Sequence, residues 1–440
     1  MEILCDFCFT HCIFGIRWQT IDHYLRISLF IRNMMKPIPF SPPRIDQKTI
    51  DAVTEVLLSG WITTGPKTRE LERRINEYCH AGRTLCLNSW TNAAELVLRW
   101  YGVGEGDEVI IPAYTYAATA NIVVHTGATP VMVDIEKDGY TIDIDKIEAK
   151  ITDRTKVIMA VDIGGLPCDY DRIMAIATSP EVKKRFVAAN ERQQSLGRIL
   201  VMSDAAHSFG AIYKGKRVGA QADVMGFSFH AVKNLTTAEG GAVALNLPAP
   251  FDNDEIWKSL NISALHGQTK DALSKTQAGQ WRYDIVEAGF KCNMTDLQAA
   301  IGLVELDRYD NDTLVRRKEI CFAYNEHFKD ENWFSAPIFS DEKRESCYHL
   351  YMLRVLSLDE AKRDEVIRLV AEKGVAVNVH FQPLPLLSFY KNRGYKMSDY
   401  PNTWRNYECE ISLPVYYTLT DEQVSYISES VKEAIRSVIA

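Results

Sequence analysis

Residues 106–135 read GDEVIIPAYTYAATANIVVHTGATPVMVDI. "GDEVIIP" is a short apolar run of strand character. "TYAATANIVVHTG" follows as a helix closed by a glycine, and "TPVMVDI" returns as a strand. A strand, a helix and a second strand in so few residues imply a crossover between parallel strands. The same alternation extends in both directions. Upstream, "IDQKTIDAVTEVLLSG" and "RELERRINEYCHA" have helical spacing, and "TLCLNS" is a strand leading into the helix "NAAELVLRWYGV". Downstream, "TKVIMAVDIGG", "GRILVMSDAAHSFGA", "ADVMGFSFH" and "GGAVALN" supply four more strands. The expected fold is α/β, a mainly parallel sheet with helices on both faces. In such sheets a ligand sits outside the carboxyl ends of the strands.

From about residue 310 the pattern changes. A long helix, "DRYDNDTLVRRKEICFAYNEHF", leads through "HLYMLRVLS", "LDEAKRDEVIRLVAEKG" and "VAVNVHF" to a final helix, "TDEQVSYISESVKEAIRSVI". We therefore expect a large domain over 35–305 and a smaller C-terminal α+β domain over 306–440. Residues 1–34 lack a signal-peptide layout and read as an extension, non-native or disordered, ahead of a start at Met34 or Met35. Cys5, Cys8, His11 and Cys12 superficially resemble a metal knuckle, but no metal is expected there. The charged stretch 171–198 reads as a solvated helix or inserted loop.

The chain has 440 residues, with 46% hydrophobic, 25% charged and a net charge of -8. That length can bury a large core without disulfides. The acidic balance, with no basic stripe, argues against nucleic acid as a partner. No run of 18 apolar residues is present, so no membrane span is expected. Ten scattered cysteines read as reduced core residues of a cytoplasmic protein.

Several positions carry chemistry. In "ILVMSDAAHSFGA" an apolar run leads through Ser203 to Asp204 at a strand end, where a carboxylate is costly unless paired. It either holds a protonated ring nitrogen or caps the next helix. Lys233, in "FSFHAVKNLTTAEGG", follows an apolar strand. A desolvated lysine there has a lowered pKa and is a usable amine nucleophile; the alternative is a lysine snorkelling to solvent. Ser228 adds a hydroxyl on the same segment. In "LNSWTNAAEL", Ser89, Thr91 and Asn92 are capping types at a strand-to-helix junction, either a plain N-cap or a phosphate-binding helix start. Tyr114 and Tyr116 could stack on a flat ring or belong to the core. Together these parts fit one cofactor, pyridoxal 5'-phosphate: a lysine for its aldehyde, an aspartate for its ring nitrogen, and a helix start for its phosphate.

"SDAAHSFGAIYKGKRVGAQADVMGFSFHAVKNLTTAEGGAV" closely resembles the cofactor region of the DegT/DnrJ/StrS-type nucleotide-sugar aminotransferases. "GWITTGP", the 106–135 stretch, "TDRTKVI", "GFKCNMTDLQAAIG" and "LPV" match that family in the same order. The resemblance runs from about Ile38 to the C-terminus. It implies a fold-type I pyridoxal-phosphate enzyme with a large, mainly parallel seven-stranded domain and a small C-terminal one, a homodimer with shared active sites, and Lys233 as the Schiff-base lysine. Asp204 would partner the pyridine nitrogen, with His207 beside the cofactor. Ser228, Thr91, Ser89 and the backbone around Trp90 would hold the phosphate, Tyr116 would stack on the ring, and Asn293 would reach the neighbouring subunit's phosphate.

The implied activity is amino transfer from L-glutamate to a nucleotide-linked keto-sugar, with a lean toward 4-keto-6-deoxyhexoses or 4-keto-pentoses, for polysaccharide or glycan synthesis. The alternatives are a sugar dehydratase of the same family or a non-catalytic regulatory relative. Two departures stand out. Trp90 occupies a position where the family has glycine, and Asp162 stands where "VH" is common. His349 and His380 are candidate contacts from the C-terminal part, or structural.

Overall fold

The structure, a computed structural model, describes residues 37–270 and 282–440. The readings of residues 1–34, the Cys5–Cys12 group among them, lie outside the described residues. Pro39–Ala440 forms one compact unit.

Among the described residues there are thirteen strands, in chain order β1 (Arg83–Leu87), β2 (Glu108–Pro112), β3 (Thr129–Val133), β4 (Thr155–Val161), β5 (Leu200–Asp204), β6 (Ile212–Tyr213), β7 (Lys216–Arg217), β8 (Val224–Ser228), β9 (Gly241–Leu245), β10 (Phe334–Ser335), β11 (Arg344–Glu345), β12 (Tyr351–Val355) and β13 (Glu410–Leu413). Seven of them form the main sheet, in the order β1-β9-β8-β5-β4-β2-β3. Only β9 runs against its neighbours; every other adjacent pair is parallel. The seven expected strands are all present, and the sheet is mainly parallel. β10, β12 and β13 form a separate antiparallel sheet toward the C-terminus.

The strands carry apolar runs because both of their faces are covered. Ile110, Ile158, Val201 and Met225 pack into the core on one side. Val109, Ile111, Met159, Met202 and Val224 pack into the core on the other. Helix Gln47–Ser59 is bounded as its sequence suggests. Asp46 accepts from the Thr49 N–H, and Gly60 closes the end at φ 72°.

The 171–198 stretch is not simply solvated. It forms helices Tyr170–Thr178, Pro180–Arg185 and Glu191–Leu196. Gln193 is fully buried, and its amide donates to the Tyr101 carbonyl at 3.2 Å. Asn190 donates to the same carbonyl at 3.1 Å. These bonds fasten the inserted segment to the end of helix Trp90–Trp100. Seven cysteines are described, all free and buried. No described helix is long and apolar enough to cross a membrane.

Candidate active site

The parallel strands converge on one edge of the sheet, and a cavity of about 360 Å³ opens there. Ser89, Trp90, Thr91, Tyr116, Asp204, His207, Ser228 and Lys233 all line it. The volume is in the range of small-molecule sites. Asn293 does not line it; its side-chain amide instead donates to Thr64 Oγ1 at 2.7 Å.

Asp204 is the last residue of β5 and is 6% exposed. Its Oδ2 accepts the Thr119 hydroxyl at 2.7 Å, and its Oδ1 accepts the Ala206 N–H at 3.3 Å. Thr115 pairs with Thr119 at 2.9 Å behind it. Burial raises the Asp204 pKa, while the bonds from Thr119, Ala206 and Trp90 and the charge of Lys233 oppose that rise. The carboxyl is thus costly to ionise until a cation faces it.

Lys233 lies in the loop between β8 and β9. Its N–H donates to the His230 carbonyl at 2.9 Å, so the backbone turns there. The next residue, Asn234, anchors the loop: its Nδ2 donates to the Cys347 carbonyl at 2.7 Å, and its Oδ1 lies 2.8 Å from His349 Nδ1. Phe229 and Gly240 close the loop with a 2.8 Å backbone bond. Desolvation lowers the amine to about 8, against the attraction of Asp204. A neutral amine is therefore available near physiological pH, as nucleophilic chemistry requires.

Ser89 caps helix Trp90–Trp100, accepting from the Asn92 N–H at 3.1 Å. The start of this helix, Thr91 and Ser228 all line the cavity. Two glycines make the approach possible. A Cβ on Gly241 would fall 2.2 Å from the Trp90 nitrogen, and one on Gly226 would fall 1.8 Å from the Trp90 ring. The bulky residue that departs from the family pattern therefore tucks its indole against β8, in space a side chain at 226 would need. We expect Gly226→Ala to destabilise the fold by about 1–3 kcal/mol through overpacking. The same change made beside Trp90→Ala should cost clearly less. Urea unfolding of the two single variants and the double variant measures the coupling.

His207 lies beside Asp204 with its Nδ1 accepting the Gly164 N–H at 3.3 Å. Its ring sits 4.4 Å from His349 and 5.8 Å from Phe381. Burial, with Lys233 nearby, holds the His207 pKa far below its ordinary value, so the ring is neutral. Tyr116 caps helix Ala117–His125 from the cavity mouth, 63% exposed, with its ring 5.5 Å from Phe381. Tyr114 is instead fully buried and stands in the core.

Phe40, His349, His380 and Phe381 also line the cavity. Thr119 and Asn234, which fix the aspartate and the lysine loop, carry no sequence signal of their own. Asp162, the other departure, is buried behind the site. It accepts from Ser208 Oγ at 2.6 Å and Cys168 N at 2.9 Å. Ser208 adjoins His207, so Asp162 steadies that segment. No group of His, Cys, Asp and Glu fit to hold a metal occurs among the described residues.

The donor set fits pyridoxal phosphate: one cavity is lined by a helix start, a buried carboxyl and an amine of lowered pKa.

A family model described as the DegT/DnrJ/EryC1/StrS aminotransferase family matches residues 43–432. The spore coat polysaccharide biosynthesis protein SpsC of Bacillus subtilis (strain 168) is 37% identical over 406 residues, covering 91% of this chain and 97% of SpsC. MJ1066 of Methanocaldococcus jannaschii, an uncharacterized protein, is 39% identical over 409 residues, covering 92% and 99%. Among solved structures, Spr1654 of Streptococcus pneumoniae, described as a sugar aminotransferase, matches in its PMP-form. There the TM-score is 0.87 and the identity 47%, covering 91% of this chain and 100% of that one. Its PLP-form matches with a TM-score of 0.87 and 45% identity, covering 92% and 100%.

Proposed function

This chain belongs to the DegT/DnrJ/EryC1/StrS aminotransferase family and is a pyridoxal-phosphate-dependent sugar aminotransferase, and we propose that it moves an amino group from L-glutamate to a nucleotide-linked 4-keto-sugar. We read the sugar as a 4-keto-6-deoxyhexose or 4-keto-pentose and its product as a precursor for polysaccharide or glycan synthesis. The kinship with a spore coat polysaccharide biosynthesis protein supports that direction. One observation carries the reading: Lys233 and Asp204, electrostatically coupled, share a cavity with the start of helix Trp90–Trp100.

Pyridoxal phosphate, when bound, supplies an aldehyde and a ring that withdraws electrons from the amino donor. Lys233 Nζ is the group that would meet the aldehyde. With its amine free, Nζ would be placed to take the proton from the donor's α-carbon as general base and to give it back as general acid. Its pKa of about 8 suits both roles. Asp204 would hold the pyridine nitrogen, fixed in place by Thr119. Thr91, Ser89, Ser228 and the Trp90 backbone would hold the phosphate, with Tyr116 against the ring and His207 beside it.

We further read 35–305 as the cofactor-binding part and 306–440 as a smaller part that closes over it, in a homodimer. The turn of Asn293 away from its own cavity supports a role toward a partner's site. So do the exposed Leu57, Leu58 and Ile62.

The test is a two-step assay. The holoenzyme is exposed to L-glutamate, and the product is then offered UDP-, dTDP- and GDP-4-keto-6-deoxyhexoses and 3-keto-sugars. Product position is read by NMR. Amino transfer to C-4 of one of them is expected. Failure of glutamate to donate to any sugar in the panel overturns the reading.

A further inference from the structure

Glu410 opens β13 and is wholly buried. Its Oε2 accepts the backbone N–H of His380 at 3.0 Å, and its Oε1 accepts from the Ser412 hydroxyl. Ser412 Oγ lies 2.9 Å from Nδ1 of His380. His380 itself lines the cavity, its ring stacked on Phe40 at 5.3 Å. Nε2 is the ring nitrogen left for the cavity; no hydrogen bond among the described residues engages it.

This line of atoms has two self-consistent proton arrangements. Ser412 has one proton to give. With Glu410 ionised, Ser412 gives it to Oε1, so Nδ1 must carry the ring proton and donate to Oγ. Nε2 then offers a lone pair. With Glu410 protonated, Oε2 is still occupied by the His380 N–H, so the proton sits on Oε1 and donates to Ser412. Ser412 in turn donates to Nδ1, and Nε2 carries the ring proton. Going from the protonated to the ionised state, Glu410 gives a proton to Ser412, Ser412 gives one to Nδ1, and Nε2 releases one to the cavity. The net change is one proton lost from Glu410, emerging at Nε2.

We propose that Glu410, acting through Ser412, sets whether His380 donates or accepts a hydrogen bond in the substrate cavity, so that one wall serves two unlike ligands. The N–H state suits a carboxylate of the amino donor, and the lone-pair state suits a hydroxyl of the sugar. This rests on the functional reading above, in which both ligands use one cavity in turn. Burial is the main cause that raises the Glu410 carboxyl to about 8 and lowers the His380 ring to about 3. The ring therefore stays neutral while the carboxyl titrates near working pH. The titratable and charged groups around Glu410 are Arg363, Tyr114, Tyr140, Cys409 and His380. Arg354 faces it across the β12–β13 pair. Those coupled to His380 are Lys233, His207 and His349. Glu410 and Ser412 are positioning residues; His380 is the group that touches substrate.

The tautomer of His380 is observable directly, by NMR of holoenzyme carrying 13C,15N-labelled histidine, with the signal assigned through His380→Asn. Wild type should pass from Nε2–H on the acid side of the Glu410 titration to Nδ1–H on the alkaline side. Glu410→Gln should hold Nε2–H throughout, because its amide N–H replaces the Oε1 proton while its carbonyl keeps the His380 N–H. Ser412→Ala should abolish the pH dependence. In turnover, Glu410→Gln should raise KM for the keto-sugar by about 10-fold more than for glutamate, the cost of one mismatched hydrogen bond. A single His380 tautomer at every pH in wild type, or one that Glu410→Gln leaves unmoved, overturns the proposal. A wild type that switches yet performs neither half-reaction instead overturns the functional reading and leaves the relay standing.

Discussion

Replacing Lys233 with alanine should slow the glutamate half-reaction by about 10³-fold or more. A positioned acid–base group contributes roughly 10²–10⁴-fold on its own. The nucleophilic amine is lost in the same change. The effect should be chemical rather than structural, because the loop is held by Asn234, Phe229 and Gly240 and not by the lysine side chain. Single-turnover kinetics with L-glutamate and a circular dichroism spectrum of the apoenzyme separate the two. A variant that transfers at the wild-type rate would sink the assignment. The wild-type amine also carries a pH signature. Its pKa is lowered to about 8, so the reactive neutral form grows as pH rises through 8 and then levels off. The rate at which apoenzyme captures pyridoxal phosphate should follow that curve. An ordinary exposed lysine would still be climbing above pH 9, given its usual value near 10.4.

Asp204→Asn is the second large effect, and it has two opposite signs. The loaded enzyme should lose about 10²-fold in the rate of the glutamate half-reaction. A hydrogen bond to a charged group is worth roughly 1.5–3 kcal/mol, and each 1.4 kcal/mol is tenfold. The apoenzyme should instead gain stability. Burial raises the Asp204 pKa in the folded state. A raised acid carries no penalty below its ordinary pKa, where both states are protonated; the penalty grows from there up to the folded pKa and is constant above it. The difference in unfolding free energy between the variant and wild type should therefore widen from pH 4 upward, measured in urea without cofactor. Equal stability at every pH would mean that the carboxyl is not strained by its burial.

Much of the fold was legible because the parallel strands are buried on both faces. Runs such as "EVIIP" and "TKVIMAV" leave no solvent face to confuse the period, and their spacing with helices names the architecture. Lys233 and Asp204 were legible for a related reason: a charged residue at the end of an apolar run is conspicuous. Thr119, Asn234 and Ser412 were not. Small polar residues on helices, loops and strands are too ordinary to stand out, and only three-dimensional closure shows what their hydroxyls and amides grip. The departure at Trp90 was legible, but not what accommodates it: the space for its ring is left by Gly226, far along the chain, where a glycine in a strand has several meanings. The 171–198 insertion reads correctly as solvated and helical in part, but its anchors, Gln193 and Asn190, are polar residues turned inward and gave no signal.

The reversed direction of β9 sets Lys233 apart from the rest of the site. The chain after β1, β2, β4 and β5 supplies Ser89, Tyr116, Ile163 and Ala206 to the cavity, each at the end of a strand whose neighbours in the parallel part of the sheet are reached through helices. The chain between Ser228 and Gly241 leaves and returns on the same edge, so the lysine rides on a hairpin. Hairpins are sequence-local units whose closure entropy is small and whose register is fixed by their own pairing. The nucleophile thus sits on one contiguous stretch of chain between two paired strands, tied to the C-terminal part only through the grip of Asn234 on Cys347 and His349. Ser89, Tyr116 and Asp204 have geometry that belongs to the whole sheet and cannot be moved without it.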